Sequence, residues 1–360
     1  MTSQPLQDFG TLMPLQDALS SVLSAIDPVA PSQRALQDAS GRIAAETIRS
    51  VQAHPTMRIA LRDGYMAVSQ ETIGATPYAP SYVTGPLRAV RAGEAMAEGC
   101  DAVLPPDAII QSAACTEVLL STFPGSGVRD PGEDLDVGGV IVSAGDQLRS
   151  AVRALLGLCG IENVLVRIPR LSIEGAGPVA RMIADLASAV GASIVDSAEA
   201  DATVCLCEPG YAASATSVKR FAAQGRLIAH GLAIRPAAST AIVMVPKKGG
   251  GARPVFIVPD RMEDALAAWH LVIARCLASL AAAAPSQPSE VLPLSSKIVS
   301  APGWTELVLL RRTAAGHAMW EPIATGSVSW AACASADAYC LVAAEHEGFP
   351  VGTLLRGSFL

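Results

Sequence analysis

Residues 57–68 read MRIALRDGYMAV, and Asp63-Gly64-Tyr65 at their centre places an acid directly before a glycine between two apolar runs. Glycine is the residue of choice where a chain needs positive φ or a close backbone approach. The segment therefore predicts a tight corner between two strand-like runs, with the carboxylate presented at the bend. A second acid-rich turn occupies residues 128–145, VRDPGEDLDVGGVIVSAG, and carries Glu133 and Asp134. With only 16% of the chain charged, these two carboxylate-bearing corners are what a functional reading has to explain.

Working outward, residues 15–26 and 31–50 carry helical periodicity, with Asp27-Pro28 and Pro31-Ser32 marking the break between them. From 51 to 125 short apolar runs punctuated by Gly and Pro predict a small β domain. It is inserted into a flanking domain made of residues 1–50 and 126–169, whose helix over 147–158 closes at Gly160. From Arg170 strands and helices alternate. Strands are expected at 171–174, 192–196, 202–207, 226–230, 241–245 and 254–258, and helices at 179–190, 216–224 and 262–283. That grammar predicts a three-layer αβα domain over 170–284 with a mostly parallel sheet covered on both faces. A PSQP linker at 285–288 opens a C-terminal β domain over 285–360, with strands at 306–311, 339–343 and 354–359. The fold class is multidomain α/β and β.

Composition narrows the function classes. The chain has 360 residues, 51% of them hydrophobic, and a mean hydropathy of +0.38. That excludes the disordered class and leaves room for roughly two to four domains. A net charge of -7, with no basic cluster larger than Arg311-Arg312 or Lys247-Lys248, argues against a nucleic-acid partner. The opening MTSQPLQDFG lacks the basic and apolar regions of a secretory signal. Residues 265–284 are apolar, but they are alanine-rich and include His270 and Arg275, which predicts a buried helix rather than a membrane span. Eight cysteines without a CxxC pair and five histidines without ligand spacing give no metal motif. Cys205 and Cys207 fall on one face of a strand as small buried hydrophobes. A reducing cytoplasm is the expected compartment.

Several constellations bear chemistry. Gly175-x-Gly177-x-x-Ala180 follows a strand and opens a helix, and Asp196 stands about 20 residues on at the next strand end, as in a dinucleotide fingerprint. The glycines would let a pyrophosphate approach the helix N-terminus. A plain strand–loop–helix with a small loop reads the same way. Asp63 and Asp134 are candidates for a hydrated Mg²⁺ or an oxyanion's counter-cation, or for capping their own turns. Arg235, before Pro236, is either a phosphate ligand or a surface arginine. Trp304, Trp320 and Trp330 read as core or interface anchors. No Ser/His/Asp or Cys/His nucleophile set can be assembled.

Together these motifs resemble the MoeA proteins and gephyrin E domains, the molybdenum insertases of molybdenum cofactor biosynthesis. Asp63-Gly64-Tyr65 matches the family's MDGYAV, with Arg62 in place of methionine. Residues 93–104, GEAMAEGCDAVL, are similar to its GAPLPEGADAVV. Gly132-Glu133-Asp134, Gly138 and the following VSAGDQL resemble GEDIxxGxxxxxAGxxL, and LGLCGIENVLVRIPR at 156–170 ends that block. HGLAIRP at 230–236 looks like HGVAMKPGKP, and the region from Gly326-Ser327 to Gly352 is similar to the C-terminal β domain. The resemblance implies an elongated, four-part protomer with a molybdopterin-binding-like third domain. It implies a homodimer with the active site where that domain meets the partner's β domain, and contact with other cofactor-maturation proteins. The implied reaction inserts molybdate into adenylated molybdopterin and releases AMP, with Mg²⁺ assisting.

On that basis Asp63 and Asp134 are the catalytic and metal-binding candidates. Gly64, Tyr65, Glu133, Gly175, Gly177, Arg235 and Ser327 are the substrate-binding ones. The third domain departs from the pattern. STGDE is replaced by Glu174-Gly175-Ala176-Gly177, SGGVSVGDYD by CEPGYAASATS at 207–217, and the second lysine of KPGKP by Ala237-Ala238-Ser239. PGNPVS is replaced by Pro259-Asp260-Arg261-Met262-Glu263-Asp264, which puts acids where an anion was cradled. Three readings follow: a divergent insertase, a non-catalytic molybdopterin-binding relative acting as carrier or chaperone, and a dinucleotide (NAD or FAD) protein using the Gly175 loop.

Overall fold

The apolar runs after Arg170 become strands because they are buried on both faces, and they need no polar side to meet water. The computed structural model describes residues 12–360 apart from 113, 210, 248–249, 286–287, 314–316 and 326–327, and only the backbone of 211–213. The chain divides into two compact units, Met1–Glu46 with Ser143–Leu360, and Thr47–Val142.

In the larger unit, helix α1 spans Leu15–Leu23. After it come β1 (Arg170–Glu174), α2 (Pro178–Ala189), β2 (Ser193–Ile194), β3 (Ala202–Cys207), α3 (Tyr211–Ala222), β4 (Arg226–His230), β5 (Ile234–Arg235), β6 (Ala241–Pro246), β7 (Ala252–Pro259), α4 (Met262–Ala268) and α5 (Ala274–Leu280). The central sheet has the order β2-β1-β3-β7-β6-β4. Its β2–β1, β1–β3 and β3–β7 pairings are parallel, and β7–β6 and β6–β4 are antiparallel. Successive residues of each strand feed opposite cores. Val204, Ile242, Phe256 and Val258 join Leu15, Leu19, Ile183 and Trp269 on one face. Cys205, Cys207, Val243, Val255 and Ile257 pack against Val218 and Phe221 of α3 on the other. Burial pushes the Cys207 thiol up to about 11, so it behaves as a small hydrophobe.

The sheet's one deeply buried acid is fully engaged among the described residues. Asp201, 3% exposed, accepts from the Arg170 backbone N–H and guanidinium at 3.0 and 3.1 Å and from Lys247. Burial pushes its carboxyl up, and the hydrogen bonds from Arg170 and Lys247 outweigh that and hold it below its ordinary value.

The alanine-rich 265–284 stretch lies in the core as α4 and α5, joined by a π-helical turn at Trp269–Ile273. Among the described residues no helix is long and apolar enough to cross a membrane. All eight cysteines are free.

The C-terminal strands are β8 (Ser289–Pro293), β9 (Thr305–Arg312), β10 (Trp320–Ala324), β11 (Ala338–Val342) and β12 (Leu354–Phe359), with helix α6 (Trp330–Ser335) between β10 and β11. They form a sheet in the order β5-β9-β11-β12-β8, with β10 on β9. Its β5–β9 pairing sets Arg235 beside Glu306.

The 31–50 stretch departs from its expected helix. It forms strands at Ser32–Ala35, Ile43–Ala44 and Ile48–Arg49 and a 3-10 turn at Leu36–Asp38. Ser32–Ala35 is captured by Asn163–Arg167 in an antiparallel ladder, and Gly41, at φ +71°, interrupts any helix between them. Tertiary pairing overrides the local periodicity here.

The smaller unit is built of short strands and turns. Gly64–Ala67 pairs with Ala102–Leu104 and Ala89–Val90, and Ile59–Ala60 pairs with Val128–Arg129. Ser81–Thr84, Cys115–Val118 and Ile109–Gln111 make a separate three-stranded sheet.

Two measurements test this fold. His270, in the π turn, lies against Tyr339 with ring centroids 4.7 Å apart and planes tilted by 44°, and among the described residues its buried Nε2 has no hydrogen-bond partner. Burial pushes its pKa down to about 4. The unfolded chain therefore holds the proton between about pH 6.5 and 4, and stability falls as pH drops through that window. Going from pH 7 to 4.5 should cost about 2–3 kcal/mol through this group. In urea titrations at the two pH values, His270→Phe should remove that share of the difference. Ala237 has φ +79°, where a Cβ costs about 1–2 kcal/mol, partly offset by glycine's larger unfolded-state entropy. Ala237→Gly should raise the stability measured by urea unfolding by about 0.5–1 kcal/mol.

Candidate functional site

The strand order puts β2 and β3 on opposite sides of β1, a topological switch point, and in open α/β sheets ligands bind in the crevice beyond the carboxyl ends of the strands at such a point. Three segments emerge at these ends. After β1 comes the Gly175-Ala176-Gly177 loop. Gly175 has φ +146° and Gly177 +98°, and a Cβ on Gly175 would lie 2.9 Å from the Leu206 Cβ of β3. Glycine is required there by conformation and by space. Pro178 then opens α2. Glu174, at the end of β1, pairs with Arg220, whose guanidinium also lies 4.2 Å from the Phe221 ring centroid. The βαβ unit is present as expected, with Asp196 just beyond β2, ahead of a 3-10 turn at Ser197–Glu199.

The second segment follows β7. The Asp260 N–H donates to the Cys207 carbonyl at 2.7 Å, joining the ends of β7 and β3. Arg261 donates to Glu263 Oε1 and lies 3.9 Å from Asp264 Oδ2. Asp264 Oδ1 accepts from the Ala237 backbone N–H at 2.7 Å. Burial pushes the Asp264 carboxyl above its ordinary value, and the Ala237 N–H and Arg261 pull against that. Glu263 is 5% exposed, and its Oε2 has no partner.

The third segment holds Arg235. Its guanidinium carbon lies 4.1 Å from the Trp304 ring centroid, a cation–π geometry. Trp304 is thus the cation's platform, where the sequence suggested a core or interface anchor. Spacing gave no signal for this pairing or for Arg261, because the partners are far apart in sequence or meet only through the loop fold.

The acidic corners belong to the smaller unit. Gly64 has no Cβ because one would lie 2.1 Å from the Leu104 carbonyl oxygen. Its glycine is fixed by close approach to the neighbouring strand, not by positive φ. Tyr65 is half-buried and sits opposite Leu104 and Ala89. Asp63 is exposed, and its Oδ1 accepts from the Ala92 N–H at 2.8 Å. Glu133 Oε2 accepts from the Asp130 N–H at 2.9 Å. Asp134 pairs with Arg129 at 2.9 Å. Because Val128 lies opposite Ala60 and Arg129 opposite Ile59, the two aspartates leave that antiparallel ladder at opposite ends. Among the described residues no three of His, Cys, Asp and Glu converge as a metal site. Ser327 lies outside the described residues.

Comparison with known proteins adds the lineage. Residues 13–160 match the family model of the MoeA N-terminal region, domains I and II. Gephyrin of Dictyostelium discoideum is 24% identical over 197 residues, which are 46% of this chain and 27% of that protein, so the chain spans well under half of this relative's length. Among solved structures, a molybdopterin biosynthesis MoeA protein from Pyrococcus horikoshii OT3 superimposes with a TM-score of 0.74 at 20% identity, covering 97% of this chain and all of that one. A molybdenum cofactor biosynthesis protein from Pyrococcus furiosus does so with a TM-score of 0.59 at 17% identity, again over 97% of this chain and all of that one. The chain thus carries a MoeA N-terminal region over residues 13–160, is similar to gephyrin over part of its length, and shares the MoeA fold almost end to end.

Proposed function

We propose that this protein works in molybdenum cofactor biosynthesis and that its crevice at the carboxyl ends of β1, β3 and β7 takes a molybdopterin species. The observation that carries the reading is the fold shared over 97% of the chain with a molybdopterin biosynthesis protein, combined with a topological switch point of the kind at which α/β sheets bind ligands. In its fullest form the reading is molybdate insertion into adenylated molybdopterin with release of AMP. That reaction is displacement at a phosphoanhydride, which positioning and charge neutralisation accelerate. Arg235, whose guanidinium carbon lies 4.1 Å from the Trp304 ring centroid, supplies a positioned positive charge for a substrate phosphate. Gly175 and Gly177 keep the backbone before α2 clear of side chains. Asp63 and Asp134 act on the molybdate side of the reaction in a site completed by a second copy of the chain. Mg²⁺ comes in on this reading as a counter-ion of the anionic substrates, and no step depends on its residing on the protein. The free cysteines fit a reducing compartment, the cytoplasm.

A second reading, a non-catalytic carrier or chaperone of molybdopterin, is favoured by the same two aspartates. Each is already engaged, one by a backbone N–H and the other by Arg129.

A molybdate-dependent AMP-release assay on adenylated molybdopterin separates the two. Insertion predicts release by the wild-type protein and a rate about 100-fold lower in Asp63→Asn and in Asp134→Asn, the size of losing one preorganised electrostatic group. Binding of molybdopterin without AMP release selects the carrier. Absence of binding to either molybdopterin species removes both.

A further inference from the structure

The crevice offers two anion-binding groups on neighbouring loops, the Ala237 backbone N–H and the Arg261 guanidinium. In an α/β crevice, a free N–H beside an arginine is the pair a phosphate oxygen would take. Here both already have anions from the chain itself. Asp264 Oδ1 takes the Ala237 N–H at 2.7 Å, and its other oxygen lies 3.9 Å from the Arg261 side chain. Glu263 Oε1 accepts from Arg261. The Asp264–Ala237 bond joins the loop after β5 to the first turn of α4, and the Asp260 N–H fastens the connection before α4 to the end of β3. Two carboxylates, Glu263 and Asp264, thus face one guanidinium.

We propose that Asp264, supported by Glu263, is a specificity-determining residue whose carboxylate occupies the anion-binding pair of the β7–α4 turn, the Ala237 N–H and the Arg261 guanidinium, from within the chain. The crevice then takes its ligand without gripping a phosphate at the β7–α4 turn. A phosphate brought to this turn would have to displace Asp264 from the N–H and Glu263 from the guanidinium. It would then face the freed carboxylates at close range, and like charges in a partly buried site repel strongly. This inference rests on the molybdopterin-site reading for what else the crevice holds. The exclusion of phosphate stands on the contacts alone.

The test is titration of the full-length protein with inorganic phosphate, followed by calorimetry and by ³¹P line broadening. The wild-type protein should show no saturable phosphate binding. Asp264→Ala should acquire it, with affinity about tenfold or more above any wild-type response, and the gain should vanish in Asp264→Ala/Arg261→Ala. Asp264→Asn, which keeps the shape and removes the charge, should show a smaller gain, and Asp264→Glu none. Circular dichroism establishes that each variant is folded, and Asp264→Asn carries the comparison if the alanine variant is not. Saturable phosphate binding by the wild-type protein that Arg261→Ala abolishes would overturn the proposal. So would folded Asp264→Ala and Asp264→Asn proteins as indifferent to phosphate as the wild type. Molybdopterin titrated in parallel reports on the parent reading alone, since its failure to bind leaves the phosphate comparison intact.

Discussion

Burial of β3 and β7 on both faces is the constraint on which the larger unit depends. Val204 and Phe256 point into one core, and Cys205 and Val255 into the other. A strand so enclosed cannot carry charge in its interior, because an unpaired buried charge costs several kcal/mol. The chemistry is therefore pushed to the strand ends. At one end, Asp201 just before β3 is neutralised by Arg170 and Lys247. At the other, the carboxyl ends release Glu174, Asp260, Arg261, Glu263 and Asp264 into the crevice.

What distinguishes this crevice is that its charges satisfy one another. Glu174 has Arg220, Glu263 has Arg261, and Asp264 has the Ala237 N–H. Arg235 is different: it rests on an aromatic face, and an aromatic ring leaves the guanidinium's hydrogen-bond donors unspent. Among the described residues, Arg235 thus keeps its donors to spare while the acids after β1 and β7 are committed to partners within the chain. The corners of the smaller unit follow the same habit. Asp63 and Glu133 each accept a backbone N–H, as short acidic side chains do when they stabilise a turn.

Much of the αβα architecture was legible from periodicity. The strands Ala202–Cys207 and Arg226–His230 have the expected bounds, and Pro178 begins α2 where a proline tolerates the first helical turn. The 31–50 stretch was not legible, because its apolar spacing fits a helix and only the ladder offered by Asn163–Arg167 makes it extended. The Asp-Gly corner was read correctly as a glycine requirement. The reason, the approach of the Leu104 carbonyl, lies in a strand well downstream that no local pattern names.

The sequence by itself determined most of the strands and helices after Arg170, where glycine is obligatory, and that acids cluster after β7. Those are properties of neighbours along the chain, set by side-chain period and local sterics. Tertiary structure alone decided that β6 and β4 run antiparallel, that Arg235 lies on Trp304, and that Asp264 reaches the Ala237 N–H. Each of these joins residues separated in sequence, and which partner a charge finds depends on where the fold brings the loops together.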